Sequence, residues 1–269
     1  MNLIIGGGSY KGLIFLGVLH YLYKTDKIGY IDNFYGCSIG SIIGVFLLMK
    51  IKPIEIFDVL QGLSFTNYLN MDVTGLLNNF TLMGANFFNF WREYFKQYEN
   101  ENITIKDFNK KYNCNINLFA TCINTRKTVL FNEKNYPDVL VLDAAIASCS
   151  IPFIFPPVKI NDQYYVDGEA KSYYNILNEY ITDDTIIIKL QDIKYSEESF
   201  NNLGGYIKEI LCTMIQCSDL TTNNLTLVVD IPPKFKDKFD FSDLTNHDKT
   251  ELFLSGIKQA DDFFKHKLN

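Results

Sequence analysis

Ser38 lies at the centre of Gly36-Cys37-Ser38-Ile39-Gly40, between a strand-type run at 31–35 and a run at 42–49 apolar enough to be a buried helix. A serine at a sharp strand-to-helix turn is a nucleophile elbow, which presents its hydroxyl at the positive end of a helix. Gly36 and Gly40 have a steric reason to be glycine, because strand and helix pack closely there and a Cβ would hold them apart. A hydroxyl nucleophile also needs a base and donors for the oxyanion it creates. Donors are available in Gly6-Gly7-Gly8-Ser9-Tyr10-Lys11-Gly12, between a strand-type run at 2–5 and an apolar helix-type run at 13–23. Such a loop exposes backbone N–H groups to an anion. A dinucleotide pyrophosphate is one candidate, but Gly12 stands four residues after Gly8 where that fingerprint needs three. The oxyanion of a tetrahedral acyl intermediate fits better, through the N–H groups of Gly7, Gly8 and Ser9.

The base is read from Tyr164-Tyr165-Val166-Asp167-Gly168-Glu169, where a strand ends on an aspartate. The chain has three histidines: His20 inside the first apolar helix, and His247 and His266 in a polar C-terminal stretch. None is placed for a Ser-His-Asp triad, which needs an imidazole oriented by a carboxylate. Asp167 is therefore the candidate base, against the alternative of a turn aspartate capping its own backbone. Lys11 either binds a substrate phosphate or holds the glycine loop in place. Ser148 and Ser150 read as helix-end hydrogen-bonders, Cys37 as a small packing residue, and Glu169 as a solvated side chain near Asp167.

Taken together, these residues resemble the patatin-like phospholipases. The resemblance rests on Gly7-Gly8-Ser9-Tyr10-Lys11-Gly12, on the Ser38 elbow, on Asp167-Gly168-Glu169, and on Ala144 to Pro157, an alanine/serine helix followed by a proline-rich strand entry. These motifs follow the family's order over residues 3 to about 190. Two positions depart from the pattern: Ser9 replaces the third glycine of the loop, and Glu169 stands where a small residue is commoner. The resemblance implies a three-layer α/β/α sandwich around a mainly parallel sheet. It also implies a Ser38–Asp167 dyad, with Lys11, Gly12, Gly36, Gly40 and Gly168 as supporting positions. The implied activity is hydrolysis of acyl esters of phospholipids or lysophospholipids, with no cofactor and no metal. A catalytically silent lipid-binding module, an acyltransferase and a small-ester esterase remain open as alternatives on the same fold.

The surrounding sequence must supply the frame. At 269 residues, 47% hydrophobic and 21% charged, the chain suits one α/β domain with a substantial core. The net charge of -6 argues against a nucleic-acid surface, so contact with lipid would be mainly apolar. No leader segment or spanning run is read, and the expected setting is cytoplasmic, with peripheral membrane contact. The six cysteines (Cys37, Cys114, Cys122, Cys149, Cys212 and Cys217) have no metal-ligand spacing. Helices are expected at 54–63, 104–110, 138–148 and 199–217, and strands at 115–121, 128–132, 185–190 and 225–231. Two features are set apart within the single domain 1–269. One is a helical insertion at 66–102, dense in Leu76, Leu77, Phe80, Leu82, Met83, Phe87, Phe88, Phe90, Trp91, Tyr94 and Phe95, readable as core or as a lid on lipid. The other is a C-terminal helix at 248–267 with a stripe at Phe253, Ile257, Ala260 and Phe264.

Overall fold

The computed structural model describes residues 1–63, 86–191, 220–235 and 244–265, together with Tyr206, Ile210 and Thr213. Eight strands form one sheet: β1 (Asn2–Ile5), β2 (Asn33–Cys37), β3 (Asn115–Cys122), β4 (Lys127–Phe131), β5 (Val158–Ile160), β6 (Gln163–Asp167), β7 (Ile186–Leu190) and β8 (Thr226–Val229). Alternate side chains face opposite layers, as period-2 geometry requires. Leu3, Ile5, Phe34, Leu118 and Ile188 face the larger core, and Ile4, Tyr35, Phe119 and Ile187 face the smaller one. Helices α1 (Gly12–Lys24), α2 (Ile39–Leu48), α3 (Pro53–Gly62), α4 (Asn86–Lys96), α5 (Ile105–Tyr112) and α6 (Val141–Ser148) follow in chain order, then α7 (Tyr174–Leu177) and α8 (Asn246–Phe264). With Tyr173, Tyr174 and Leu177 packed on the smaller core, the sheet is covered on both faces, giving three layers.

The sheet is parallel at its centre, through β1–β2, β2–β3, β1–β7 and β7–β8. Its flank is antiparallel, through the β3–β4 hairpin and through β3–β6 and β5–β6, and the pairings of β6 are the ones that the alternation of strands and helices did not reveal. This flank positions Asp167. β4 occupies one edge of β3 over residues 118–122. β2 pairs with 115–119 and β6 with 120–122, so each overlaps β4 and must use the opposite edge. β2 runs parallel to β3 and ends with Cys37 opposite Phe119; β6 runs the other way and ends with Asp167 opposite Ala120. The two strands thus meet C-terminus to C-terminus on consecutive residues of one template strand. Consecutive strand residues rise about 3.3 Å, so the residue following Cys37 arrives beside Asp167.

Several boundaries shift for identifiable reasons. The helix read at 138–148 starts at Val141, because Ile105 and Val141 N–H groups bond to Val139 and Ile103 carbonyls and hold the preceding residues extended. Thr104 caps α5 by accepting from Asp107 N–H, as its residue type suggests. The C-terminal helix begins at Asn246, where a Thr245–Asp248 capping box satisfies the first turn. The lid reading of the aromatic insertion needs correcting for its described part. Trp91 and Phe95 are fully buried, and α4 packs its rings on Phe46, with centroids 5.5 Å apart for Trp91. Leu76, Leu77, Phe80, Leu82 and Met83 lie outside the described residues, as do Cys212, Cys217, His266 and nearly all of the helix read at 199–217.

Helix α8 closes the larger core against α1 at backbone contact. A Cβ on Gly17 would stand 2.0 Å from the Phe253 carbonyl oxygen, and one on Gly256 would stand 2.0 Å from that of Ile14. Gly256→Val should therefore push the helices apart. Overpacking of this kind costs about 1–3 kcal/mol, to be read as a lower denaturant midpoint with unchanged m-value.

Candidate active site

Ser38 follows β2 directly and is the N-cap of α2, with φ 52° and ψ −132°. Holding a non-glycine residue there costs of order 1–3 kcal/mol and needs support from the surroundings. Part of that support is steric. A Cβ on Gly36 would stand 2.8 Å from Ser41 Cα, and one on Gly40 would stand 2.4 Å from the Ile5 carbonyl oxygen. Both glycines therefore permit the close approach expected of them. A Cβ on Gly168 would meet Cys37 Sγ and the Phe119 carbonyl oxygen at 2.6 Å, at the junction of β2 with β6.

The rest of the support is polar and centres on Ser148, at the C-terminal end of α6. The Ser38 N–H donates to Ser148 Oγ at 2.9 Å, Ser41 Oγ donates to it at 2.8 Å, and Ser148 Oγ donates to the Phe119 carbonyl at 2.5 Å. Ser150 donates to the Ile146 carbonyl, and its own carbonyl accepts from Asp167 N–H at 2.9 Å. The two serines read as helix-end hydrogen-bonders thus tie α6 to both halves of the site. The tie from Ser148 to the elbow runs between residues over a hundred positions apart, and no spacing in the sequence signals it.

Ser38 Oγ donates to Asp167 Oδ2 at 2.6 Å, and both residues are buried, at 3% and 2% exposure. Asp167 Oδ1 accepts from Glu169 N–H at 2.8 Å. The aspartate therefore does cap its own turn, and it still presents its second oxygen to the serine. Burial pushes the Asp167 carboxyl well above the ordinary carboxylate range, against the two hydrogen bonds that favour its anion. Glu169 departs from its sequence reading as a solvated side chain. It is half-buried, its carboxylate lies against the Gly7 backbone, whose N–H favours its anion, and it fills the space where a Cβ on Gly7 would lie. Burial and the neighbouring Asp167 charge push Glu169 up as well.

The glycine loop enters a short 3₁₀ turn at Ser9–Lys11. Ser9 has φ 52°, in the left-handed region that favours glycine, so the departure from a third glycine falls on a strained position. Lys11 is buried, with its ammonium 5.6 Å from the Tyr10 ring centre, and Tyr10 donates to the Phe235 carbonyl at 3.0 Å. A Cβ on Gly12 would collide with the Ile39 side chain, so loop and elbow touch directly. Ser9 and Ser38 line one pocket whose remaining walls are almost wholly apolar, including Leu13, Ile42, Leu60, Trp91, Ile151 and Phe155. Cys149 lines it too, and burial drives the thiols of Cys149 and Cys37 far up, which leaves them poor nucleophiles.

No described histidine joins this group. His20 packs on Phe253 with its pKa lowered by burial, and His247 is 85% exposed beside Glu251. Among the described residues no cluster of three or more His, Cys, Asp or Glu side chains could hold a metal ion, and no helix is long and apolar enough to cross a membrane.

The model of the patatin-like phospholipase family aligns with residues 3–178. The chain belongs to that family, and lipid ester hydrolysis is the chemistry the family carries. It is 28% identical to the probable lipid hydrolase 463L of Invertebrate iridescent virus 6, over 96% of this chain and 89% of the relative. It is 24% identical to uncharacterized protein R571 of Acanthamoeba polyphaga mimivirus, over 98% of this chain and 90% of that one. Among solved structures it is similar in fold to VipD from Legionella pneumophila (TM-score 0.64, 14% identity, 98% of this chain and 66% of VipD). It is also similar to the type III effector ExoU (TM-score 0.57, 14% identity, 98% and 52%).

The Ser148 hub generates a test. Ser148→Ala leaves the buried Ser38 N–H without its acceptor, which costs about 1–3 kcal/mol. Calorimetry should show a lower Tm, and kcat should fall while KM changes little, because the elbow is loosened and the pocket walls are untouched.

Proposed function

We propose that the protein hydrolyses acyl esters of phospholipids or lysophospholipids through a Ser38 acyl-enzyme. The observation that carries this reading is the 2.6 Å Ser38–Asp167 hydrogen bond at the edge of an apolar pocket. Ser38 Oγ attacks the ester carbonyl carbon while its proton passes to Asp167. The tetrahedral intermediate collapses, the C–O bond to the leaving alcohol breaks, and that alcohol takes the proton from Asp167. Water then repeats the sequence on the acyl-enzyme and releases the fatty acid and free Ser38. The apolar walls suit a hydrocarbon chain, whose burial contributes roughly 0.8 kcal/mol per CH₂. The setting proposed is cytoplasmic, with transient contact at membranes.

The glycine loop is assigned to the oxyanion. In the resting arrangement the Glu169 carboxylate lies against Gly7, so Gly8 and Ser9 are the donors assigned to the incoming oxygen. Gly7 joins them when Glu169 withdraws.

Two predictions follow from these roles. Ser38→Ala and Asp167→Asn should fold with near-native Tm yet lose on the order of 10⁴ in kcat, measured by mass spectrometry of products from a panel of phospholipids, lysophospholipids and nitrophenyl esters. Turnover at the wild-type rate by either variant would remove the dyad from the mechanism. The second concerns pH. Asp167 must be ionised to act as base, and its carboxyl is held above the ordinary range, so kcat/KM should fall as pH drops through that raised value. Glu169, pushed higher still by the Asp167 charge, keeps its proton while Asp167 ionises, so Glu169→Gln should leave the acid limb of the profile where wild type has it. An acid limb displaced to lower pH in Glu169→Gln would show instead that Glu169 is the first of the two to ionise.

A further inference from the structure

Ser150, whose carbonyl holds Asp167 N–H, leads straight into a tight turn. Ile154 and Phe155 N–H groups both donate to the Ile151 carbonyl, at 3.1 and 2.9 Å, with Pro152 and Phe153 at the tip. Phe153 has φ 67°. Following proline at the third position of a turn, that conformation belongs to glycine or asparagine, and a bulky aromatic there is a genuine outlier. The ring is not compensated by burial, since Phe153 is 45% exposed. Its neighbours Ile151 and Phe155 point the other way and line the pocket beside Ser38. The turn therefore sits at the pocket mouth with one aromatic ring aimed outward, at a cost in backbone strain that packing within the protein does not explain.

The neighbouring strand end continues the theme. β3 runs past the dyad to Ile123, which donates its N–H to the Tyr164 carbonyl at 2.9 Å; both side chains are exposed, at 48% and 44%. Arg126 and Lys127 follow in the hairpin, and Lys171 donates to the Arg126 carbonyl at 2.7 Å. Residues 121–131 and 149–160 contain no Asp or Glu, in a chain of net charge -6, and the exposed Asp162 at the adjoining tip is paired with Lys159. Apolar tips flanked by basic residues are what a phospholipid surface accepts: rings enter the interface, and cations meet phosphates.

We propose that the Phe153 turn and the Ile123–Lys127 hairpin seat the protein on a phospholipid surface, with Phe153 entering the acyl boundary and Arg126, Lys127 and Lys171 facing head-group phosphates. This surface rests on the reading of the adjoining pocket as the acyl site, and it would deliver an ester from the bilayer directly to Ser38. Trp91 and Phe95 of the aromatic insertion have no part in it, because they are core residues.

The test is Phe153→Asn, a residue that tolerates the left-handed conformation, with Phe153→Gly as a second variant. Partition onto phosphatidylcholine vesicles, with and without phosphatidylglycerol, is measured by co-sedimentation. Hydrolysis of a soluble nitrophenyl ester is followed in parallel. Expected are an equal or higher Tm, roughly tenfold weaker vesicle partition from the lost ring, and unchanged soluble-ester turnover. Arg126→Ser with Lys127→Ser should erase the gain that phosphatidylglycerol gives to wild type. Wild-type protein that does not sediment with either vesicle, or Phe153 variants that partition like wild type, would overturn the surface. Absence of ester hydrolysis with intact vesicle partition would instead refute the catalytic reading and leave the surface standing.

Discussion

Everything at the site depends on two strands meeting end to end on a third. β2 and β6 share one edge of β3, and their C-termini abut at Phe119 and Ala120. This places a serine hydroxyl and a carboxylate from positions 129 residues apart within 2.6 Å, without either side chain having to reach. The junction leaves no spare volume, as the contacts that a Cβ on Gly168 would make with Cys37 and Phe119 show. A dyad built on strand ends is held by ladder hydrogen bonds and core packing, which is more exact than a site carried on loops.

Two of the described non-glycine residues with positive φ, Ser38 and Ser9, line the pocket at this junction, and a third, Phe153, sits outside it on the turn between the pocket-lining Ile151 and Phe155. Such conformations persist only where the surroundings over-determine them. For Ser38 the surroundings are visible in Ser148, which accepts from the elbow backbone while donating to β3. Buried hydrogen-bond hubs of this sort specify one arrangement, because any alternative leaves a polar group unsatisfied in a low-dielectric interior.

Two carboxylates in one buried site raise a charge problem that the dyad alone would not. Asp167 and Glu169 are both pushed toward their neutral forms by burial, and Glu169 further by its neighbour. The Gly7 N–H offsets part of this for Glu169, whose carboxylate lies against the glycine loop. The two relatives from viruses are matched over nearly their whole length, whereas this chain spans 66% of VipD and 52% of ExoU. Those larger proteins carry further chain outside the shared fold, so the likeness to them is one of architecture.

The sequence by itself determined the parts whose physics is local. The elbow is legible because close strand–helix packing demands Gly36 and Gly40 around a serine, and the glycine loop because backbone donors need residues without side chains. Asp167 could be nominated as base by the misplacement of His20 and His247. The helix cap at Thr104 is also written in residue type. Only the tertiary structure decided what depends on residues distant in the chain. The antiparallel flank that brings Asp167 to Ser38 follows from strand register, which periodicity does not encode. Ser148 became the hub of the elbow because α6 ends above β3, and Glu169 met Gly7 because β6 ends beside β1's loop. Aromatic density in α4 left both core and lid open, with core the favoured reading, since composition reports how much apolar surface exists and not which way it faces. Phe46 settled that for Trp91 and Phe95, while Phe153, unremarkable in sequence, was left outside.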